Sequence, residues 1–210
     1  MQQRSSIIKS TIRRRIVMHS GAQNLVLYES KLAHEFGLSR TPIRQVIQSL
    51  AAESLVEVRS GVGTIAAPMP QDRLKQDLKA YSAILGACAA CSSPANFNKV
   101  KIELATLRVH LEADSQVSPS DLFFDVATKF IEIICDLVDD VVLRGALVSC
   151  YWRFVRRRVA EHKGDFAAIT QEMIKTTKDA EYGAETGDPE HILRMVQTNV
   201  DVMIKSSVNS

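Results

Sequence analysis

The stretch Glu29-Ser30-Lys31-Leu32-Ala33-His34-Glu35-Phe36-Gly37-Leu38-Ser39-Arg40-Thr41-Pro42-Ile43-Arg44-Gln45-Val46-Ile47-Gln48-Ser49-Leu50 decides the fold. Its first eight residues read as a short helix that Gly37 closes just past the last turn. Ser39 stands where an N-cap is expected, and the helix it starts carries Ile43, Val46, Ile47 and Leu50, an i, i+3, i+4, i+7 apolar set. Burying that face turns Arg40, Thr41, Arg44, Gln45 and Gln48 outward. Two short helices joined by a tight turn, the second with basic and amide side chains on its free face, describe a helix-turn-helix that lays one helix in the major groove of DNA.

Working outward, Ile7, Ile8, Ile12, Ile16 and Val17 recur at helical spacing and predict a first helix over roughly residues 4 to 19, followed by a short strand at Leu25-Val26-Leu27. Downstream, the β-rich runs 55–59 and 64–67 flank Ser60-Gly61-Val62-Gly63, a hairpin with glycine where positive φ is needed. A hairpin just beyond the helix that Ser39 starts is a wing. Ala66-Ala67-Pro68-Met69-Pro70 marks the boundary, because paired prolines break regular structure. The expected domains are thus a DNA-binding head over 1–70 and an effector-binding, dimerising body over 71–210. The body is helical by pattern, at roughly 71–92, 96–114, 119–137, 140–162, 166–186 and 189–206. Ser118-Pro119 and Asp188-Pro189 each put a capping side chain before a proline at the first helical position. The expected fold class is mainly α, a winged helix-turn-helix joined to an antiparallel helical bundle.

Charge follows the same division. The first 70 residues hold nine Lys/Arg against four Asp/Glu and the remainder 17 against 20, so only the head is suited to a polyanion. With 46% hydrophobic residues in 210, the chain can bury an ordinary core, which excludes a disordered or collagen-like chain. The uncharged window 80–98 is interrupted by Ser, Gly, Pro and Asn, and the N-terminus lacks an apolar stretch of signal-peptide length. The expectation is a cytoplasmic protein with no membrane partner. Four cysteines in a chain of this length are too few for a disulfide scaffold, and Cys88 and Cys91, a C-x-x-C late in an Ala-rich helix, read as small packing residues rather than a redox pair. No grouping of nucleophile, base and orienting residue is visible, so no enzyme is expected.

The candidate DNA interface is Ser39, Arg40, Thr41, Pro42, Arg44, Gln45, Gln48, Gly61 and Gly63. Arginine can grip guanine bidentately and glutamine can pair with adenine, which gives Arg40, Arg44 and Gln45 the base edges. Thr41, the helix N-terminus and the backbone near Gly61 and Gly63 suit phosphates. Arg13-Arg14-Arg15 reads as a solvated helix face, with a phosphate clamp as the alternative. The cluster Arg153, Arg156, Arg157, Arg158 reads as a solvated helix end, with an anion-binding edge or a contact to the head as the alternative.

The run Leu32 to Arg44, with Leu50, Glu53, Leu55-Val56 and Gly61-Val62-Gly63, resembles the DNA-binding head of GntR-type bacterial transcription regulators. Ser30 departs from it, standing where relatives often have a charged residue. The resemblance implies that Arg40, Thr41, Arg44 and the wing at Gly61 touch operator DNA. A helical body of about 140 residues behind such a head resembles the FadR subfamily, whose C-terminal domain dimerises and binds a small molecule. In many relatives that domain holds a divalent metal through an Asp, a His four residues later and two further His. The matching positions here are Asp121, Asp125, Thr177 and Asn199. Three lost imidazoles remove the ligands that suit zinc or nickel, so neither a metal nor another cofactor is expected.

These four residues are instead expected to line one oxygen-rich effector pocket, for an amine or other hydrogen-bond donor. A weak Mg or Ca site and an apolar acyl slot are the alternatives, and an organic acid is also open as effector. Asp121 doubles as the third residue after the Ser118 cap. The expected function is a homodimeric transcription regulator, a repressor, on a palindromic operator. The alternatives are a helical ligand-binding protein with a vestigial head and a regulator whose body only dimerises.

Overall fold

A computed structural model describes residues 2–19, 25–59, 63–113 and 117–206. The chain begins with α1 (Gln2–Val17), β1 (Val26–Leu27), α2 (Glu29–Phe36), α3 (Arg40–Ala52), β2 (Val56–Arg59) and β3 (Gly63–Ala66). Strand β3 is central, pairing antiparallel with β1 (Val26 opposite Ile65) and with β2 (Val56 opposite Ala66, Arg59 opposite Gly63). The isoleucine stripe of α1 accounts for its helix. Ile8, Ile12, Ile16 and Val17 are all buried, while α3 buries Ile43, Val46, Ile47 and Leu50 as its spacing requires.

Pro70 is followed by a 3₁₀ turn at Gln71–Arg73, so α4 (Leu74–Ala90) starts three residues later than the pattern predicts. Then come α5 (Phe97–Glu112), α6 (Pro119–Cys135), α7 (Val141–Glu161), α8 (Phe166–Gly183) and α9 (Pro189–Ser206). The predicted continuation of α8 to 186 is again a 3₁₀ turn, Ala184–Thr186. Both proline-marked starts are capped. The Ser118 hydroxyl accepts the Asp121 N–H at 3.2 Å, and the Asp188 carboxylate accepts the Glu190 N–H at 2.9 Å. Asp140 caps α7 in the same way, accepting from Val142 and Leu143.

Within the helical part α4 packs against α7 and α9, and α8 against α5, α6 and α9. The core is aromatic at its centre. Tyr151 and Trp152 are each 1% exposed, Phe130 stacks on Tyr151, Phe124 lies 5.5 Å from Trp152, and the Tyr151 hydroxyl donates to the Ala127 carbonyl at 2.8 Å. No described helix is long and apolar enough to cross a membrane.

Leu50 is fully buried at the point where α3 meets α1 and the sheet. Leu50→Ala should cost roughly 2–5 kcal/mol through lost burial and the cavity left behind. The measurement is urea unfolding, where the midpoint should fall while the slope with denaturant is unchanged.

Candidate nucleic-acid interface

The turn between α2 and α3 is built from backbone. Gly37 adopts φ +60°, which most side chains resist, and this lets Leu38 N–H bond the Ala33 carbonyl at 2.9 Å and end α2 abruptly. The chain re-enters a helix at Arg40, with Ser39 extended at the N-cap position. Ser39 makes no side-chain cap, contrary to expectation. The reason lies in Pro42, the third residue of α3, which has no N–H for the hydroxyl to accept. The capping hydroxyl and the first amides of α3 therefore remain available to an anion.

Because Ile43, Val46, Ile47 and Leu50 point inward, Arg40, Thr41, Arg44, Gln45 and Gln48 are all exposed on the opposite face, with Ser39 exposed ahead of them and Pro42 half-buried. At 13 residues α3 is about 20 Å long, enough to lie along a major groove. Sequence reasoning did not pair Arg44 with Glu29, the first residue of α2. Arg44 Nη2 donates to Glu29 Oε2 at 2.9 Å, and Nε lies 3.2 Å from both carboxylate oxygens. Hydrogen bonding by Arg44 holds the Glu29 carboxyl below its ordinary range, assisted by the charge of Arg40. The carboxylate thus fixes the direction of Arg44 while leaving it exposed. The pair is separated by 15 residues across the turn, and only the fold brings it together.

The wing lies beside this helix. Gly63 opens β3 at φ +108°, a conformation that only glycine takes without strain, and sits against the Leu27 carbonyl. Arg59 pairs with Glu57 at 3.1 Å at the end of β2. Gly61 lies outside the described residues, as do Ser60 and Val62.

The arginine triplet of α1 is not a free solvated face. Arg13 donates twice to Glu53 at 2.7 Å and lies 4.9 Å from the Trp152 ring centre. Arg14 pairs with Asp121 at the start of α6, and Arg15 with Glu35 of α2. Each cation has a partner distant in sequence, so the local pattern alone could not reveal its role. Between α1 and α3 on one side and α6 and α7 on the other lies a cavity of about 580 Å³, lined among others by Lys9, Arg13, Glu53, Ile131, Arg144 and Trp152.

The four expected pocket residues occupy different surroundings. Asp121 is half-buried, accepting from the Ser118 hydroxyl at 2.7 Å and pairing with Arg14. Asp125 lines a cleft of about 370 Å³ between α5 and α6 with Glu103, His110 and Lys129. Thr177 is fully buried, its hydroxyl without a hydrogen-bond partner among the described residues. Asn199 is 9% exposed and accepts from Lys175 at 2.6 Å. A single shared cavity was expected from the resemblance, but Asp121 is tied to Arg14 of α1 while Thr177 is sealed in the core. Burial pushes the Cys88 thiol up to about 11, far from a reactive thiolate, while Cys91 is exposed at the helix end.

The α7 arginines also depart from the expected solvated helix end. Arg156 and Arg157 are 5% and 4% exposed. Arg156 donates to the Ala67 carbonyl at 2.5 Å, and Arg157 to the Pro70 carbonyl at 3.2 Å and the Asp77 carboxylate at 2.6 Å. Arg153 shares Asp77, while Arg158 pairs with Glu161 and Glu172.

Comparison with known proteins agrees with this geometry. Residues 5–65 match the family of bacterial regulatory proteins, gntR family. The fold is similar to that of E. coli McbR/YncC, with a TM-score of 0.63 at 13% identity over 98% of both chains. It is equally similar to a Rhodococcus sp. RHA1 protein described as a GntR transcriptional regulator, with a TM-score of 0.64 at 14% identity over 99% of both chains. No curated protein matches in sequence. Residues 5–65 are therefore a DNA-binding helix-turn-helix domain of the gntR family of bacterial regulatory proteins, carried on an all-helical C-terminal region.

Proposed function

We propose that the protein is a homodimeric transcriptional repressor of the FadR type that binds a near-palindromic operator. In this reading residues 1–70 are the reading head and residues 71–210 the dimerising, effector-responsive body. One observation carries it: the outward face of α3, from Ser39 through Arg40, Thr41, Arg44, Gln45 and Gln48, is exposed and donor-rich beside a wing, with Arg44 oriented by Glu29. Arg40, Arg44 and Gln45 take base edges, while Ser39, Thr41, Pro42 and the backbone at Gly61 and Gly63 seat the phosphates. One α3 helix covers only a half-site, so affinity for a full operator comes from two heads related by a two-fold axis. Ile102 and Val109, exposed two turns apart on α5, provide an apolar stripe that a second copy can cover.

Effector control rests on the cavity between α1, α3, α6 and α7, because a small organic acid or amine lodged there touches both regions at once. A ligand shifts the heads only by its difference in affinity between their two placements. The buried, unpartnered Thr177 hydroxyl and the Asp125 cleft supply further polar positions for an effector, and Asn199 another beside Lys175. Asp121 is assigned instead to the tie with Arg14.

The test is fluorescence anisotropy on an operator obtained by in vitro selection, over a series of salt concentrations. Two chains should bind each duplex. Arg40→Ala or Arg44→Ala should weaken selected DNA by roughly tenfold to a hundredfold, with less effect on unrelated sequence. Equal binding of all sequences by the native protein would sink the reading. Glu29→Gln, which loosens Arg44 without removing it, should lower discrimination between cognate and mutated half-sites more than it lowers total affinity; the readout is the ratio of the two dissociation constants. Thr177→Val should leave thermal stability unchanged or raise it by up to about 1 kcal/mol, because the hydroxyl has no protein hydrogen bond to lose. A clear loss of stability in calorimetry would show that the hydroxyl is bonded.

A further inference from the structure

The segment joining the β-sheet to α4 is clamped from one side by arginines. Behind Ala67, Pro68, Met69 and Pro70 lies a small chamber of about 70 Å³, faced by Arg73, Asp77, Arg153, Arg156 and Arg157. Four guanidinium groups therefore surround a single carboxylate. Asp77 is shared by Arg153 and Arg157, and no carboxylate pairs with Arg156 or Arg73 among the described residues. Arg156 is the telling member. It is 5% exposed, uses one donor on the Ala67 carbonyl, and leaves its buried Nε without a partner among the described residues.

Such an arrangement is costly as it stands. An ion taken out of water loses several kcal/mol unless an opposite charge or a full set of hydrogen bonds replaces the solvent. Carbonyl oxygens supply only part of that replacement. Burial and the neighbouring charge of Arg157 lower the pKa of Arg156 to about 10, which measures the stress on the group. Arginine nonetheless stays charged at neutral pH, and its planar donor fork matches an oxyanion better than it matches a lone carbonyl.

We propose that this chamber is a binding site for one small tetrahedral oxyanion, of the size and charge of phosphate, held by Arg156 and Arg157 from α7 and closed at the mouth by Arg73. The chamber is too small for a nucleotide or an acyl chain but accepts one such ion or the phosphoryl end of a small metabolite. The anion completes the hydrogen bonding of Arg156 and offsets the excess positive charge. Because the same two arginines hold the carbonyls of Ala67 and Pro70, an occupied site stiffens the segment that links β3 to α4. None of this depends on what α3 binds.

The experiment is calorimetric titration and thermal unfolding of the full chain with sodium phosphate, against sodium chloride at matched ionic strength. Saturable binding of phosphate and a rise in melting temperature beyond the chloride control are expected. In Arg156→Met, which keeps apolar bulk, the dissociation constant should rise at least tenfold, and the unliganded protein should melt no lower than the native one. Should that variant fail to fold, Arg73→Ala at the exposed rim is expected to weaken phosphate several-fold with native circular dichroism. Competition by glycerol phosphate identifies a phosphoryl end as the natural occupant, and its failure identifies the free ion. Absence of saturable binding in the native protein, or affinity unaltered in both variants, overturns the site.

Discussion

Glu53, the residue that ends α3, is the point on which the arrangement turns. Its carboxylate receives Lys9 and Arg13 of α1, each at 2.7 Å, and its backbone carbonyl accepts the Ser149 hydroxyl of α7 at 2.9 Å. One residue thereby fixes the far end of the reading helix to the first helix of the chain and to the helical region behind it. With its side chain only 12% exposed, Glu53 is largely removed from water, so two cations converging on it with good geometry hold better than a surface pair does. Whatever α3 does at its exposed N-terminal end is mechanically referred to α7 through this junction.

Most of the architecture was legible because it rests on local patterns. The apolar spacing of α3, glycine at 37 and the cap-proline pairs at 118 and 188 are statements about neighbouring residues, and the backbone obeys them. Ser39 is a case where a further local fact, Pro42 three positions on, removes the expected cap. What could not be read was the destination of long cations. Arg13 meets a residue 40 positions away, Arg14 one 107 away and Arg156 one 89 away. Charge clusters on a helix have the same appearance in sequence whether they face water or bind a distant carbonyl, and only tertiary packing distinguishes them.

The expected pocket illustrates a different limit. Positions Asp121, Asp125, Thr177 and Asn199 were aligned from a resemblance, and once the imidazoles are gone nothing obliges the remaining side chains to converge. Asp121 has taken up with Arg14, while Thr177 is sealed in the helical core. A cavity of about 580 Å³ opens instead at the junction of α1, α3, α6 and α7, where neither region alone would have indicated it.

The chain contains one tryptophan, and its location gives it a use. Trp152 is 1% exposed on α7, lies under the guanidinium of Arg13 from α1, and forms part of the wall of the junction cavity. Indole emission responds to the charge and polarity at its face, so separation of α1 from α7, or an occupant in that cavity, changes the environment of a single chromophore. The protein carries its own optical gauge of how the reading head sits on the helices, with no competing signal from a second indole.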